Sequence, residues 1–234
     1  MPGSASIAVA TVALADIQRE LWPRLEAMMS DLERARATRF RFERNRREYI
    51  AAHALKRLML SEAFGGRPQD WAFVAEPGGK PYVAGGWGPH FNISHCDGLV
   101  ACAVSAEAPL GVDVEPVGRR PPLDLAEHYF APDECVWLLE LPEDERPRGF
   151  LRLWTMKEAF IKATGKGVSQ GLHTFAIGFD PLRVTFRDSA QTEPGEWHLV
   201  QETIGDSHLL GLAWRGPEAA VTLRKVKLEE MAGG

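Results

Sequence analysis

Residues 154–167 constrain the fold more than any other stretch of the chain. Bulky apolar residues recur there at the spacing of one helix face, and Gly165 and Gly167 follow directly. The pattern predicts the last turns of an amphipathic helix that run into a glycine–lysine loop. Glu158 and Lys162 are four residues apart and therefore share one face of that helix. Glu and Lys at this spacing usually form a surface salt bridge. Whether this pair has a functional role as well depends on other segments of the chain.

The overall charge and the cysteines narrow the classes of protein to which the chain can belong. Its 234 residues are 45% apolar and 25% charged, which is typical of a soluble globular protein. A formal net charge of −5 argues against a general nucleic-acid binder. The three cysteines form no CxxC pair, and the apolar residues 7–14 are too short to span a bilayer. We therefore expect a cytoplasmic protein that binds neither nucleic acid nor membrane.

Arginine is concentrated in one short segment. Seven arginines fall within residues 34–47, which predicts a local anion site in an otherwise acidic chain. The alternative is the solvated basic end of a helix. The seven are Arg34, Arg36, Arg39, Arg41, Arg44, Arg46 and Arg47.

The predicted elements follow the order strand, helix, strands in each half of the chain. A strand at 7–14, a helix at 16–29, a stronger helix at 44–64 and strands at 90–95, 99–105 and 111–115 are predicted first. Short helices at 123–130 and 132–139 and the helix that ends near 164 come next. Strand patterns near 175–179, 184–186, 197–203, 209–214 and 219–226 then suggest an antiparallel sheet. We expect an α+β fold of two similar halves, residues 1–108 and 109–234.

Two carboxylates stand two residues apart in the strand predicted at 111–115. Val112 and Val114 point inward in such a strand, and Asp113 and Glu115 project together from the other face. Like charges at this range repel each other unless a cation or a basic group lies between them. Because an exposed acidic pair at a strand end is common, a metal role depends on further ligands.

Several familiar chemistries do not match the motifs of this chain. The run from Gly165 to Gly167 follows a helix and lacks the other glycines of a Walker loop or a dinucleotide fingerprint. Ser94 and His95 are adjacent on a predicted strand and face opposite sides, which does not suit a nucleophile and its base. No G-x-S-x-G occurs, so a hydrolase triad is not indicated.

What remains is a set of carboxylates with basic residues around them. Asp113, Glu115 and Glu158 are hard oxygen ligands of the kind that Mg²⁺ prefers, together with oxygens of a substrate phosphate. On this chemistry alone we expect phosphoryl transfer from a polyphosphorylated cofactor. The basic residues that could hold its phosphates are Arg44, Arg47, Lys80, Lys157 and Lys162.

These motifs, taken in order, resemble those of the Sfp-type 4′-phosphopantetheinyl transferases. The pair formed by G-V-D-V-E at 111–115 and W-T-M-K-E-A-F-I-K-A-T-G-K-G at 154–167 is similar to the paired signature of that family. G-K-P at 79–81, F-N-I-S-H at 91–95 and the basic segment 39–57 agree with it. The resemblance covers roughly residues 35–175. It implies a monomeric pseudo-dimer of two α/β halves, with the active site at their interface.

The resemblance also implies residue roles. Asp113, Glu115 and Glu158 would bind Mg²⁺ and the pyrophosphate of coenzyme A, and Lys162 would reach a phosphate, with Lys157 as a less certain helper. Glu134 falls where Sfp-type members place a glutamate that is proposed as general base. Cys96 departs from the serine that often follows S-H. The residues that would contact the phosphates of coenzyme A are Lys80, Ser94 and His95, with Arg44 and Arg47 near its adenosine bisphosphate end.

The implied reaction transfers the phosphopantetheine group from coenzyme A to a serine of an apo acyl or peptidyl carrier protein. Glu134 or a metal-bound water would take the proton, and adenosine 3′,5′-bisphosphate would leave. Fatty acid, polyketide and nonribosomal peptide synthesis all supply such carriers, and the sequence does not choose among them. Two rivals remain: a non-catalytic module that binds coenzyme A or a carrier protein, and a Mg²⁺-dependent phosphohydrolase.

Overall fold

The computed structural model describes residues 5–75, 79–85, 88–167, 171–187, 193 and 195–233. Its strands are β1 (Ser6–Ala13), β2 (Phe73–Ala75), β3 (Pro81–Val83), β4 (His90–Cys96), β5 (Leu99–Ser105), β6 (Leu110–Pro116), β7 (Phe175–Phe179), β8 (Leu182–Phe186), β9 (Trp197–Ile204), β10 (His208–Arg215) and β11 (Ala220–Lys225). Its α-helices are α1 (Trp22–Ala27), α2 (Asp31–Ala37), α3 (Glu43–Phe64), α4 (Ala126–Tyr129), α5 (Pro132–Glu140), α6 (Arg146–Thr164) and α7 (Leu228–Ala232). No helix in the described ranges is both long and apolar enough to cross a membrane.

The chain divides into two compact units. The first comprises Met1–Glu76, Pro81–Ala108 and Ala219–Gly234, and the second comprises Pro77–Lys80 and Pro109–Glu218. Each unit combines helices with a sheet of its own, so the predicted α+β class is confirmed.

The first unit is built on a four-stranded sheet in the order β11-β1-β5-β4. Strand β1 pairs antiparallel with β5 and parallel with β11, and the predicted strands at 90–95 and 99–105 form the antiparallel hairpin of β4 and β5. Helix α3 packs on β4 and β5 and contributes a continuous buried stripe to the core. Gly65 ends this helix with a φ of 80°, a conformation that glycine adopts without strain. The predicted helix at 44–64 is therefore confirmed almost to its bounds.

The second unit is built on a three-stranded antiparallel sheet in the order β6-β10-β9. Helix α6 lies across β6 and β10, and its buried face carries Phe150, Met156 and Phe160 into the core of this unit. Strands β7 and β8 form a separate hairpin. The predicted end of α6 is confirmed, because Gly165 takes a left-handed conformation at its C-terminus.

Two predictions about the C-terminal strands differ from the structure. We expected all five strand patterns after residue 170 to form one antiparallel sheet, but they are divided among three sheets. Strand β11 belongs to the first unit, where it pairs in parallel with β1. Residues 219–234 therefore group with the N-terminal half and not with residues 109–218, whereas the division between Ala108 and Pro109 coincides with the predicted one.

Candidate functional site

Two glycines let helix α6 approach its sheet closely. A Cβ atom at Gly111 would collide with the α6 backbone at Ala159 and Ala163, and one at Gly211 would lie 2.9 Å from the carbonyl oxygen of Thr155. Since side chains two apart on a strand share a face, Gly111, Asp113 and Glu115 all face α6. The helix therefore lies directly over the strand face that carries the acidic pair.

This packing brings the sequence-predicted carboxylates and Lys162 together. The Lys162 ammonium donates to Asp113 Oδ1 at 2.7 Å and to the Val112 carbonyl at 3.3 Å. Asp113 is only 5% exposed, so the strand's acidic face is buried and not the open edge that its position suggested. Glu115 is paired with Arg119 at 2.8 Å, a partner that the sequence interpretation did not single out. The four-residue spacing from Glu115 to Arg119 was the signal that could have found it.

Burial and neighbouring carboxylates raise the pKa of two side chains of the cluster, Glu158 and Glu115. Burial raises the pKa of Glu158, and the negative charges of Asp113 and Glu115 raise it further against the opposing effect of Lys162. Burial likewise raises the pKa of Glu115, where Arg119 opposes the shift and Asp113 adds to it. Concentrated negative charge of this kind favours binding of a cation.

The donor set fits the chemistry of Mg²⁺. All three candidate ligands are carboxylates without thiolates, and a hard oxygen set that leaves positions for water or phosphate is the usual protein site for this ion. Within the described ranges, however, no group of three His, Cys, Asp or Glu side chains is already spaced to hold a metal ion. At Asp113, Lys162 supplies the neutralising positive charge.

Glu134 and Lys157 form an enclosed ion pair, and their environment differs from that of the carboxylate cluster. The Lys157 ammonium contacts Glu134 Oε2 at 2.7 Å and donates to the carbonyls of Leu172 and Phe175 at 2.8 and 2.6 Å. Lys157 is 0% exposed and Glu134 is 3% exposed. Burial raises the pKa of Glu134 and lowers that of Lys157 to about 8, and each partner opposes the other's shift.

This geometry bears on two of the expectations. Each of the three Lys157 protons has an acceptor in the interior, so its ammonium does not reach a phosphate from this position. Both Glu134 oxygens also accept backbone hydrogen bonds, from Ala131 and Ile177 at 2.7 Å. The pair fixes α5 and β7 to α6. The predicted roles of Glu134 as general base and of Lys157 as phosphate helper would require both side chains to leave these partners, and they stay predictions.

Lys80 is bound to the end of helix α6. Its ammonium donates at 3.0 Å to the carbonyls of Leu110 and Ala163, the latter in the last turn of the helix. A cation at this position is favourable because the last helix carbonyls carry partial negative charge. Lys80 therefore belongs to the same unit as the carboxylate cluster, at the β6 and α6 termini.

A second cluster of predicted residues lies in the first unit. His95 and Arg44 are each 3.6 Å from the carboxylate of Glu48, a buried residue on α3 that the sequence interpretation missed. Arg44 also pairs with Asp97 at 3.1 Å. Burial raises the pKa of Glu48, and the charge of Arg44 opposes that shift. The four-residue spacing between Arg44 and Glu48 was the available signal.

The remaining two predicted residues of this unit differ in their surroundings. Ser94 is buried on β4, directly before the half-exposed His95. Arg47 does not join Arg44 at Glu48, because its guanidinium pairs with Glu43 at 3.1 Å and lies 5.4 Å from the ring centroid of Trp22.

A buried charge network in the first unit was also missed by sequence reasoning. Glu33 accepts from Lys56 at 2.8 Å and from Arg57 at 2.6 Å, and it lies 2.7 Å from His53 Nδ1. It also completes a capping box with Ser30 at the start of α2. The S-x-x-E spacing and the basic residues three and four positions after His53 were the signals for this network.

The contacts of this network determine the protonation states of Glu33 and His53. Burial alone would raise the pKa of Glu33, but hydrogen bonds from His53 and Lys56 and the lysine charge outweigh it and lower that pKa. Burial lowers the pKa of His53 to about 4, against the hydrogen bond to Glu33. His53 is therefore neutral at physiological pH and Glu33 is ionised.

Comparison with known families agrees with the division of the chain. The model described as the 4′-phosphopantetheinyl transferase superfamily matches residues 109–213. The model described as 4′-phosphopantetheinyl transferase, N-terminal, matches residues 17–107. The two matches meet at the boundary between the units near residue 108.

Individual relatives carry the same name. The chain is 35% identical over 198 residues to the 4′-phosphopantetheinyl transferase HetI of Nostoc sp. (strain PCC 7120), a match that covers 82% of this chain and 81% of the relative. It is 40% identical to psf-1 of Bacillus pumilus, covering 64% of both chains, and 32% identical to Sfp of Bacillus subtilis (strain 168), covering 66% of this chain and 68% of that one. Both are also named 4′-phosphopantetheinyl transferases. The chain belongs to the Sfp-type 4′-phosphopantetheinyl transferase family.

Proposed function

We propose that this enzyme transfers the 4′-phosphopantetheine group of coenzyme A to a serine hydroxyl of an apo acyl or peptidyl carrier protein, with Mg²⁺, and releases adenosine 3′,5′-bisphosphate. The observation that supports the proposal best is the cluster of Asp113, Glu115, Glu158 and Lys162 on facing sides of β6 and α6. Phosphoryl transfer requires cations around the transferred group. This cluster can supply one cation, the Lys162 ammonium, and its carboxylates can bind a second, Mg²⁺.

Each charged group has a part in binding the donor. Asp113, Glu115 and Glu158 would hold Mg²⁺, which supplies neutralisation of the pyrophosphate when it is bound. Lys162 contacts a phosphate oxygen, Lys80 binds another, and Ser94, His95, Arg44 and Arg47 bind the adenosine bisphosphate end. Glu48 orients His95 and Arg44 for that contact, because its carboxylate lies between them.

The transfer itself is a displacement at phosphorus. The serine oxygen forms a bond to the phosphorus next to pantetheine as the bond from that phosphorus to the bridging oxygen breaks. The resemblance offers Glu134 or a metal-bound water as the base. Glu134 is enclosed with Lys157, whereas Glu158 in the carboxylate cluster is partly accessible. We therefore assign acceptance of the serine proton to Glu158. Most of the rate enhancement comes from positioning and charge neutralisation.

Intact-mass measurement of an apo carrier protein tests the proposal. The enzyme, coenzyme A and Mg²⁺ are incubated with the carrier, and the expected result is a gain equal to one phosphopantetheine arm on the serine. Cleavage of coenzyme A with an unmodified carrier would instead identify a phosphohydrolase. Binding of coenzyme A without any turnover would identify a binding module.

A further inference from the structure

Two of the three candidate metal ligands are already paired with a positive side chain of this chain. Lys162 contacts Asp113, and Arg119 contacts Glu115. Arg119 Nη1 lies 2.8 Å from both Glu115 oxygens, so it occupies the position directly in front of the carboxylate. A metal ion that binds Glu115 needs the same oxygen lone pairs. Arg119 and a metal ion therefore compete for Glu115.

The turn that carries Arg119 does not depend on this ion pair. Strand β6 ends at Pro116, and the Arg119 N–H closes the turn after it by donating to the Pro116 carbonyl at 3.1 Å. The Val117 N–H donates to the Ser207 carbonyl at 2.9 Å and ties the turn to the connection between β9 and β10. Because these backbone hydrogen bonds hold the main chain, the Arg119 side chain can leave Glu115 while the turn persists.

Exposure shows which of the two positive side chains is the easier to displace. The Lys162 side chain is 28% exposed and has a second acceptor in the Val112 carbonyl at 3.3 Å. The Arg119 side chain is 46% exposed, and Glu115 is its acidic partner. Since water already solvates much of Arg119, its release from Glu115 exposes little new charge. A divalent ion brings twice the charge of a guanidinium to the same carboxylate, which favours the exchange.

We propose that Arg119 neutralises Glu115 in the metal-free enzyme, releases it when Mg²⁺ binds, and then contacts the pyrophosphate of the donor. This rests on the proposed function, which requires both Mg²⁺ and coenzyme A. A planar guanidinium binds phosphate as well as carboxylate, so Arg119 exchanges one anionic partner for another. The new partner is close to the old one, because Glu115 would hold the metal ion at which the pyrophosphate is neutralised.

The exchange makes binding of the metal ion and binding of the donor depend on each other. Without the donor, a metal ion has to break the pair of Arg119 with Glu115, and its affinity is lowered by that loss. With the donor bound, Arg119 pairs with the pyrophosphate and Glu115 is available. Each ligand then strengthens the binding of the other by the same factor, which we call the coupling factor. An arginine that served only the turn would not contribute to this factor.

Titration with Mn²⁺, followed by the electron paramagnetic resonance of the free ion, tests the proposal without turnover. Mn²⁺ takes the same hard oxygen ligands as Mg²⁺. The parent is compared with Arg119→Gln and with Arg120→Gln, which makes the same charge change at the adjacent exposed arginine, a residue without an ion pair in the described ranges. In the absence of coenzyme A, we expect Arg119→Gln to bind Mn²⁺ at least about threefold more tightly than the parent, since no cation competes for Glu115. Arg120→Gln should stay within about 1.5-fold of the parent, because salt screens an exposed charge that makes no contact.

The same titration in the presence of coenzyme A measures the coupling factor, after subtraction of the Mn²⁺ that coenzyme A binds by itself. We expect the coupling factor of Arg119→Gln to be at least about threefold smaller than that of the parent, because the variant has no guanidinium to pass to the pyrophosphate. Arg120→Gln should keep the parental factor.

The other outcomes contradict the proposal in distinguishable ways. Unchanged or weaker Mn²⁺ binding by Arg119→Gln without coenzyme A would overturn it, since Arg119 would then not compete for Glu115. Equal tightening in both variants would overturn it as well, because the effect would be one of net charge. A parental coupling factor in Arg119→Gln would overturn the contact with the pyrophosphate.

Failure of the proposed function gives a different result. Mn²⁺ binding by none of the three proteins would overturn the metal assignment together with this inference. If the parent binds Mn²⁺ but modifies no carrier protein, the transfer reaction alone fails, and the titrations still decide the role of Arg119.

Discussion

At the scale of single residues, burial separates side chains that the sequence presents alike. Lys157 and Lys162 both belong to the helix motif of residues 154–167, yet Lys157 is fully buried and Lys162 contacts Asp113. Glu134 and Glu158 differ in the same way. A resemblance assigns roles by position in a motif, and it cannot show which side chains have their hydrogen-bonding capacity already filled by the interior.

Lys157→Met tests the structural role of the Lys157–Glu134 pair. The variant leaves Glu134 charged and buried without its partner, so we expect the free energy of unfolding to fall by about 3–5 kcal/mol in chemical denaturation. The double variant Glu134→Gln/Lys157→Met should recover part of that loss, because no unpaired charge remains. Full stability of the single variant with a raised KM for coenzyme A would show that Lys157 contacts a phosphate after all.

His53 predicts a pH dependence of stability. Its folded pKa of about 4 lies below the ordinary value of 6.5, so the unfolded chain binds a proton between these values that the folded chain does not. Stability contributed by His53 is therefore present above pH 6.5 and is lost as pH falls toward 4. Between pH 7 and pH 5 the parent should lose about 2 kcal/mol more than His53→Gln, which keeps a donor for Glu33.

Urea denaturation of both proteins at the two pH values measures this difference. Groups other than His53, among them Glu33 and Lys56, titrate in both proteins and cancel in the comparison. Equal losses of stability in the parent and the variant would mean that His53 is able to take up a proton in the folded state.

At the scale of elements, the contact of α6 with β6 positions the residues of the candidate site. The periodicity of residues 154–167 predicted the helix, and the alternation of residues 111–115 predicted the strand, but neither pattern indicates how closely the two pack. That distance is set by Gly111 and Gly211, whose missing side chains admit the helix backbone. In the sequence, the close packing was indicated only by glycines inside the strand patterns, because such glycines often mark a close approach of another backbone.

Gly111→Ala tests the importance of this contact. The added methyl group meets backbone atoms of α6 and not a flexible side-chain end, so the helix has to move. We expect a loss of stability of about 1–3 kcal/mol. We also expect transfer to fall about 100-fold, since the shift displaces Glu158 and Lys162 from Asp113.

Gly118→Ala is the matched control, because a Cβ atom at that exposed glycine would meet no other atom within 4 Å. It should change neither the thermal midpoint nor the transfer rate. A Gly111→Ala variant with parental activity and stability would show that α6 is not held against β6 as closely as described.

At the scale of the whole molecule, local patterns predicted the elements better than their pairing. The α+β class and the boundary near residue 108 follow from the order of strands and helices along the chain. The pairing partner of β11 does not follow from that order. The alternating residues of β11 are compatible with an antiparallel neighbour as well as with the parallel pairing to β1 that the structure has. Long-range pairing is decided by the assembled core, which a strand pattern does not encode.

The charge distribution is likewise a property of the whole chain. Composition gives a net charge of −5, but the seven arginines of residues 34–47 form a local excess of positive charge, and four of them are held in ion pairs. Sequence alone identified the cluster of seven arginines and could not show which of them form ion pairs, since the partners of Arg34, Arg44, Arg46 and Arg47 come from several elements.

The transfer rate of isosteric variants tests the central claim most directly. Glu158→Gln and Asp113→Asn are compared with the parent and with Glu127→Gln, an exposed control, by intact mass of a carrier protein in the presence of coenzyme A and Mg²⁺. We expect each cluster variant to lose at least about 100-fold in rate while its thermal midpoint does not fall, and the control to keep the parental rate. Near-parental transfer by either cluster variant would contradict the assignment of these carboxylates to the reaction.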